Sequence, residues 1–307
     1  MCIEKKQAKK AFFILAIALI VYELVFQFVV FGIDMIEIGA LLFLFNDVQW
    51  EQATEIVYYS GIALSISSVV ATIVTGLILR QKPCFDKKQK CTMKTMVIFY
   101  ILMQGLQLLG NYILLPVNFI AYQMGYNFDE AISVASDSSV LFSAFVYSVI
   151  IAPVAEEILC RGIIMKYLEK YGKAFAVLIT AMLFGLLHQN IVQFFITTMI
   201  GILFGYLAQK YSLMAAIVLH VLNNLSVELV GMLAEKYDIV WTLNTAFLVF
   251  CTLESVVILW KKRKSISAFF KEEKSDKPVV KWFFTTPLML VVIFYFILFT
   301  IASVTPF

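Results

Sequence analysis

The chain has 307 residues, of which 62% are hydrophobic and 15% are charged, and its mean hydropathy is +0.89. A soluble domain of this length cannot bury so much apolar surface in one core, so the composition excludes an ordinary water-soluble protein and predicts a membrane protein. The formal net charge of +3 is the sum of basic and acidic connections on opposite sides of a membrane, and it gives no reason to expect nucleic-acid binding.

Hydrophobic segments long enough to cross a bilayer recur along the whole chain. A hydrocarbon core of about 30 Å needs about 20 apolar residues in a helix. Nine spans are predicted, at 11–33, 55–79, 95–117, 139–160, 174–190, 191–209, 213–233, 239–260 and 283–304. Residues 36–45 are apolar but too few to span, and they predict a short interfacial helix. Residues 1–307 are therefore predicted to form one all-α, polytopic transmembrane bundle of about eight to nine spans.

The charged connections predict the orientation of these spans. Lys and Arg collect in cytoplasmic loops close to membrane ends, and here the N-terminus and every second connection are basic, including a long one at 261–281. This alternation leaves Lys236 as the one basic residue outside. We expect a multi-pass protein of the cell membrane with a cytoplasmic N-terminus and, with nine spans, a C-terminus outside. Anionic lipid headgroups are the expected partners of the basic connections.

Ionisable residues within the hydrocarbon are costly, and by default they mark function. The predicted spans and their edges contain eight: Glu23, Glu156, Glu157, Arg161, His188, His220, Glu228 and Glu254. Five of them lie between positions 156 and 220, and these five include the only two histidines of the chain. A clustered chemistry explains this distribution better than scatter. Glu228 either extends the polar face of the seventh helix or hydrogen-bonds a neighbour, and the second interpretation is favoured. No partner is identified for Glu23 or Glu254.

Glu156 and His188 are predicted to lie at the same depth in the membrane. The turn at 171–173 joins two antiparallel helices, and the two residues are equally far from its centre. With a rise of about 1.5 Å per residue, His188 is expected about 20 Å from the inner surface and His220 about 12 Å from it. The seventh helix must therefore tilt, or begin below the surface, for the three residues to meet.

The directions of side chains around the fourth span separate its two glutamates. Neighbouring residues on a helix are about 100° apart, so Glu156 and Glu157 are not both expected to face the histidines. Glu157 and Arg161 stand at i and i+4 in the order that favours an ion pair, which leaves Glu156 for the site. Pro153 removes a backbone hydrogen bond from the same helix and is expected to open it there.

These residue types can activate water for attack on a carbonyl. A carboxylate among apolar side chains is suited to act as a general base, and Glu156 would take a proton from a water that lies between it and a histidine. His220 and Asn224, one turn apart on one helix face, would donate to the developing oxyanion. Glu156, His188 and His220 also match a Zn²⁺ site of two imidazoles and a carboxylate with an open position. The residues alone leave both routes open.

Three short patterns occur in order on successive spans. They are E-E-x-x-x-R at Glu156–Arg161, F-x-x-x-H at Phe184–His188 and H-x-x-x-N at His220–Asn224. This ordered set resembles the CPBP family, which includes the CAAX prenyl endopeptidases and bacterial proteins described as abortive-infection or bacteriocin-immunity proteins. The resemblance covers residues 139–233, which would be the catalytic core helices, and it implies an eight-helix core to which the span at 283–304 is an addition.

The resemblance also implies an activity and the roles of its residues. Glu156 and His188 would activate the water of an intramembrane endopeptidase, and His220 with Asn224 would stabilise the oxyanion. The second glutamate and the arginine of the first motif would be supporting residues. Peptides or prenylated peptides would be the substrates. Members of the family have been described both as metalloproteases and as metal-independent glutamate proteases, so a Zn²⁺ cofactor and no cofactor are both compatible with the resemblance.

Two other functions remain compatible with the sequence. A non-catalytic membrane protein of the same fold would act by binding partners, in bacteriocin immunity or in the regulation of a histidine kinase or a secretion system. A transporter would use membrane acids and histidines as a proton relay, but no inverted repeat supports it. Complete catalytic motifs favour the protease over both.

Overall fold

The computed structural model describes residues 2–85, 88–136, 141–272 and 278–306. These residues form α1 Cys2–Leu44, α2 Trp50–Tyr58, α3 Ile62–Leu79, α4 Met93–Gln123, α5 Asp129–Ser136, α6 Phe142–Tyr171, α7 Lys173–Leu187, α8 Ile191–Lys210, α9 Leu213–Ala234, α10 Ile239–Glu272, α11 Val279–Phe284 and α12 Pro287–Ala302. Two short strands, β1 Tyr126–Asn127 and β2 Thr305–Pro306, pair antiparallel. The predicted all-α polytopic bundle is confirmed. Positions 139–140 of the predicted catalytic core, and the charged residues Lys87, Asp137, Lys274 and Lys277 of the predicted loops, lie outside the described residues.

Seven of the described helices are long and apolar enough to cross a bilayer, namely α1, α3, α4, α6, α8, α9 and α10. Two further apolar helices are shorter, α7 with 15 residues and α12 with 16. At about 1.5 Å per residue they would extend roughly 22 to 24 Å. Most residues of α7 are buried among other helices. The nine predicted spans thus correspond to seven long helices and two short ones.

Several predicted boundaries differ from the structure. The separate interfacial helix at 36–45 is wrong, because α1 continues without a break to Leu44 and no proline interrupts it. The short helix is α2, and Gly61 separates it from α3, which begins later than the predicted span. At the other end of the chain, α10 extends to Glu272, through half of the predicted connection at 261–281. Lys and Arg are good helix formers, and no Gly or Pro occurs in this connection before Pro278.

Hydrogen bonds between distant segments sort the helix ends into two groups. In one group, the N–H of Lys88 donates to Tyr211 O at 2.8 Å. In the other, Asn190 Nδ2 donates to Ala131 O at 2.9 Å, and β1 pairs with β2. Nine alternating spans put the two partners of each bond at the same end of the bundle. The contacts therefore fit the predicted alternation, and the side that faces the cytoplasm stays a prediction.

Reporter fusions test that orientation. Seven or nine crossings place the C-terminus opposite the N-terminus, whereas eight would place both on one side. We expect alkaline phosphatase fused after Phe307 to be active outside the cytoplasm, and green fluorescent protein fused there to be dark. The same reporters fused after Lys90, in a basic connection, should give the opposite pair. Fluorescence at the C-terminal fusion would contradict the predicted orientation.

Candidate active site

Helix α6, which carries the two adjacent glutamates, is not a regular α-helix. Residues Tyr147–Ile151 and Ile158–Ile164 are π-helical, and the α-helical segment Ala152–Glu157 separates them. Pro153 lies at the start of that segment and has no N–H to donate. The opening predicted at Pro153 is therefore present. π-Helical turns within α-helices frequently occur at functional sites.

The π-helical register leaves the carbonyl of Ser148 to a side chain from another helix. The N–H of Ala152 bonds to Tyr147 O, five residues earlier. In that register the donor to Ser148 O would be Pro153, which has no hydrogen on its nitrogen. Asn224 Nδ2 of α9 donates to Ser148 O instead, at 2.8 Å. This contact satisfies a backbone group inside the bundle and holds Asn224 against α6.

The imidazole of His220 lies between the two glutamates. Its Nδ1 is 3.0 Å from Glu157 Oε1, and its Nε2 is 3.7 Å from Glu156 Oε2. The prediction that only one glutamate would face the histidines is therefore wrong. The two nitrogens of the ring point in different directions, so one imidazole reaches two carboxylates that diverge around α6. The side chain of Glu157 is 0% exposed and that of Glu156 is 30% exposed, so Glu156 is the carboxylate open to a bound molecule.

Arg161 is the cationic partner of the buried glutamate. Its Nη1 donates to Glu157 Oε1 at 2.8 Å, which confirms the predicted ion pair. Its Nη2 donates to Gly201 O at 3.0 Å, and the guanidinium lies 4.5 Å from the centre of the Phe184 ring. A Cβ on Gly201 would lie 3.3 Å from Nη2, so the absence of a side chain there lets the guanidinium approach α8. Glu157 is thus held by Arg161 and His220 together.

His188 lies directly after the last residue of α7. Its Nδ1 is 2.8 Å from Phe184 O, which can only accept a hydrogen, so Nδ1 carries the proton and a neutral ring keeps the lone pair on Nε2. The Phe184 ring packs edge-on against both histidines, with centroids 4.9 Å from His188 and 6.0 Å from His220. Phe184 therefore spaces the two imidazoles and also supports Arg161. The spacing of the second motif pointed to this residue, but not to these contacts.

Glu156 and His188 border two cavities. The larger has a volume of about 1070 Å³, lies between α4, α6, α8 and α9, and also reaches His220 and Asn224. The smaller has a volume of about 340 Å³ and lies between α1, α3, α6 and α7. The two residues predicted to activate water therefore lie on a wall that the cavities share, and all four predicted catalytic residues line the larger one.

Two polar residues beside the site, Ser148 and Glu228, are hydrogen-bonded to each other. Ser148 Oγ donates to Glu228 Oε1 at 2.6 Å, while its carbonyl accepts from Asn224. Glu228 is 8% exposed and lines the larger cavity. Its interpretation as a hydrogen-bonding residue is confirmed. The sequence contains no signal for Ser148, because its role depends on the π-helical register.

The side chains do not fit the Zn²⁺ site considered from the sequence. In the described ranges, no three His, Cys, Asp or Glu side chains are placed to hold a metal ion together. His220 Nδ1 is engaged by Glu157 and His188 Nδ1 by a backbone carbonyl, so the second nitrogen of each ring is the one that a bound water or ion would contact.

Comparison with known proteins identifies one segment of the chain. Residues 138–226 match the model of a family described as type II CAAX prenyl endopeptidase, Rce1-like. The segment extends from the start of α6 into α9, and it contains all three motifs. No curated protein and no solved structure matches the chain. The match confirms the resemblance carried by the motifs, and it indicates a membrane protease.

Proposed function

We propose that this chain, which belongs to the CPBP/CAAX protease family, is an intramembrane endopeptidase whose general base is Glu156. One observation carries the proposal. Glu156 is partly exposed and, like His188, lines both cavities, whereas the adjacent Glu157 is buried and paired with Arg161. Of the two glutamates, Glu156 is the one that a substrate and a water can reach.

In the proposed reaction, Glu156 takes a proton from a water molecule as its oxygen attacks the peptide carbonyl carbon. The lone pair on His188 Nε2 accepts a hydrogen bond from the other O–H group of that water and so orients the water. The tetrahedral intermediate then collapses, the C–N bond breaks, and the proton on Glu156 passes to the leaving amine. One carboxyl group thus acts first as base and then as acid.

The proposed oxyanion donors are His220 and Asn224. The Glu157 carboxylate accepts a hydrogen bond from His220 Nδ1, and in the proposed reaction His220 donates to the oxyanion through hydrogen on Nε2. Asn224 uses one hydrogen of its amide for Ser148 O, and an amide has two. One donor from each residue therefore remains for the oxygen of the intermediate, and donors held in place before the reaction stabilise that charge most.

The larger cavity fits a peptide segment. Its lining includes six side-chain amides, from Gln107, Asn111, Asn118, Gln193, Asn223 and Asn224. Amides can pair with both the N–H and the C=O of a peptide backbone. Aliphatic and aromatic residues, among them Leu114 and Phe128, form other parts of the wall and suit apolar side chains or a prenyl chain. We therefore propose peptides or prenylated peptides as substrates.

The charges around this cavity favour a bond remote from a free C-terminus. Its described lining includes the carboxylates of Glu156 and Glu228, and neither Lys nor Arg is part of it. A terminal carboxylate in the cavity would face the carboxylates of Glu156 and Glu228, and it would lose its hydration without a Lys or Arg partner. We propose that an internal segment, or one with an uncharged end, is preferred over a C-terminal segment that ends in a carboxylate.

Paired peptides test both the activity and this preference. Purified protein in liposomes is given the same sequence with a C-terminal carboxylate or a carboxamide, each with and without a prenyl group. We expect the carboxamide to be cleaved with a kcat/KM about tenfold higher, equivalent to ~1.4 kcal/mol, and Glu228→Gln to narrow the difference. Preference for the carboxylate would contradict the charge argument. No cleavage of any peptide by folded protein would favour the non-catalytic, partner-binding function.

A further inference from the structure

A third glutamate, Glu23 of α1, lies beside the site and outside the matched segment. It is near the middle of the apolar span Glu4–Leu44, where a carboxylate is costly. Its Oε1 accepts hydrogen bonds from Gln189 Nε2 at 3.0 Å and from Gln27 Nε2 at 3.3 Å. Glu23 also lines the smaller cavity together with His188. Gln189, the partner of Glu23, directly follows His188, which is a proposed catalytic residue.

The corner between α7 and α8 has an unusual backbone at this point. Gln189 has a φ of +49°, a left-handed conformation that is uncommon for a residue other than glycine. Such a conformation persists where surrounding contacts hold it, and it occurs preferentially at active sites. On one side of Gln189, Asn190 caps α8 by accepting from the N–H groups of Val192 and Gln193. On the other side, the side chain of Gln189 is held by α1.

The smaller cavity is large enough to hold water, and polar residues form part of its lining. Its volume of about 340 Å³ corresponds to roughly ten water molecules. Its lining includes the hydroxyl groups of Tyr22, Ser68 and Tyr147 as well as Glu23, Gln27 and Gln189. Glu156 and His188 belong to the lining that it shares with the larger cavity, together with Tyr147, Ala152 and Phe184. Water would reach the two residues from this side and a peptide from the other.

We propose that Glu23 is a positioning residue for His188. By holding Gln189 it fixes the corner from which the His188 imidazole extends, and it thereby orients Nε2 toward the water beside Glu156. The effect on catalysis rests on the proposed function, whereas the effect on the imidazole does not. Glu23 lies more than a hundred residues before the first motif. Helix α1 therefore contributes a contact to the site although it lies outside the motif-bearing segment.

Nitrogen-15 labelling of histidine tests the contact without any substrate. The chain has two histidines, so His188→Ala assigns both imidazoles. Glu23→Ala should shift the ring signals of His188 and leave those of His220 unchanged. Glu254→Ala is the matched control, because Glu254 is exposed on α10 and lines neither cavity; it should shift neither ring. Unchanged His188 signals in Glu23→Ala, or equal shifts in both rings, would overturn the proposal.

Kinetics then measure what the contact does. Glu23→Ala should lower kcat on the order of 10- to 100-fold, the effect of a small misplacement of a catalytic group, with KM changed less than about twofold. Glu23→Gln keeps an acceptor oxygen and should recover most of the rate. Gln189→Asn tolerates a positive φ but is one methylene shorter, and it should reproduce the loss seen in Glu23→Ala.

The double variant shows whether the two residues act together. If Glu23 acts through Gln189, Glu23→Ala with Gln189→Asn should be no slower than the slower single variant, since effects within one chain of contacts are not additive. Losses that multiply, or a loss confined to KM, would overturn the positioning role. Full activity in Glu156→Ala would instead refute the proposed function, and the His188 ring signals would still decide whether Glu23 orients the imidazole.

Discussion

Glu156→Gln is expected to lower kcat by about 10²- to 10⁴-fold, the usual contribution of a general base, while the protein stays folded. The substitution keeps the size and shape of the side chain and removes its ability to take a proton. Glu156 Oε2 lies 3.7 Å from His220 Nε2, beyond hydrogen-bond distance, and the Glu156 side chain is 30% exposed, so little stability depends on it. Single-turnover cleavage of a peptide in liposomes, with thermal unfolding alongside, measures both effects.

The control for this prediction is Glu254→Gln, the same change on the exposed surface of α10, which should leave kcat and unfolding unchanged. A wild-type rate in Glu156→Gln would exclude Glu156 as the base. A chelator is the second arm of the experiment. If a carboxylate and an imidazole activate the water, the cleavage rate should be unchanged after chelation, whereas a loss of rate that Zn²⁺ restores would contradict the proposed route.

The features that were predicted from the sequence depend on local patterns. Apolar length predicts the helices that cross the bundle, because a helix in lipid must satisfy its own backbone. The pair Glu157 and Arg161 follows from i,i+4 geometry on one helix. The opening of α6 follows from Pro153, since a missing N–H has a local consequence. Each of these required no knowledge of neighbouring helices.

The features that were missed depend on contacts between helices. His220 reaches both glutamates because its ring extends from α9 and lies against α6. The angle of about 100° between neighbouring side chains of α6 does not predict this contact. Asn224 reaches Ser148 O only because the register there is π-helical. Glu23 and Gln189 are 166 positions apart, and neither belongs to a motif. Tertiary packing selects such partners, so spacing along the chain does not reveal them.

Arg161→Met is expected to destabilise the protein by about 3 to 5 kcal/mol, the cost of removing one partner from a buried ion pair. The side chains of Arg161 and Glu157 are 1% and 0% exposed, so water cannot replace the lost guanidinium. Within the described residues, Glu157 Oε2 has no hydrogen-bond partner even in the intact pair. The carboxylate would therefore depend on His220 alone. Unfolding in a detergent titration, followed by tryptophan fluorescence, measures the change.

A second ion pair on α6 is the matched control. Lys166 Nζ lies 3.1 Å from Glu169 Oε2, but the side chain of Lys166 is 42% exposed, and Lys166→Met should cost less than about 1 kcal/mol.

The double variant Glu157→Leu with Arg161→Met removes both buried charges, and it should recover much of the lost stability because no unpaired charge remains. The double variant should nevertheless be inactive, because His220 loses the carboxylate that holds its Nδ1. If Arg161→Met were as mild as Lys166→Met, the buried pair would not stabilise the fold. If the double variant regained activity with its stability, Glu157 would have no part in orienting His220.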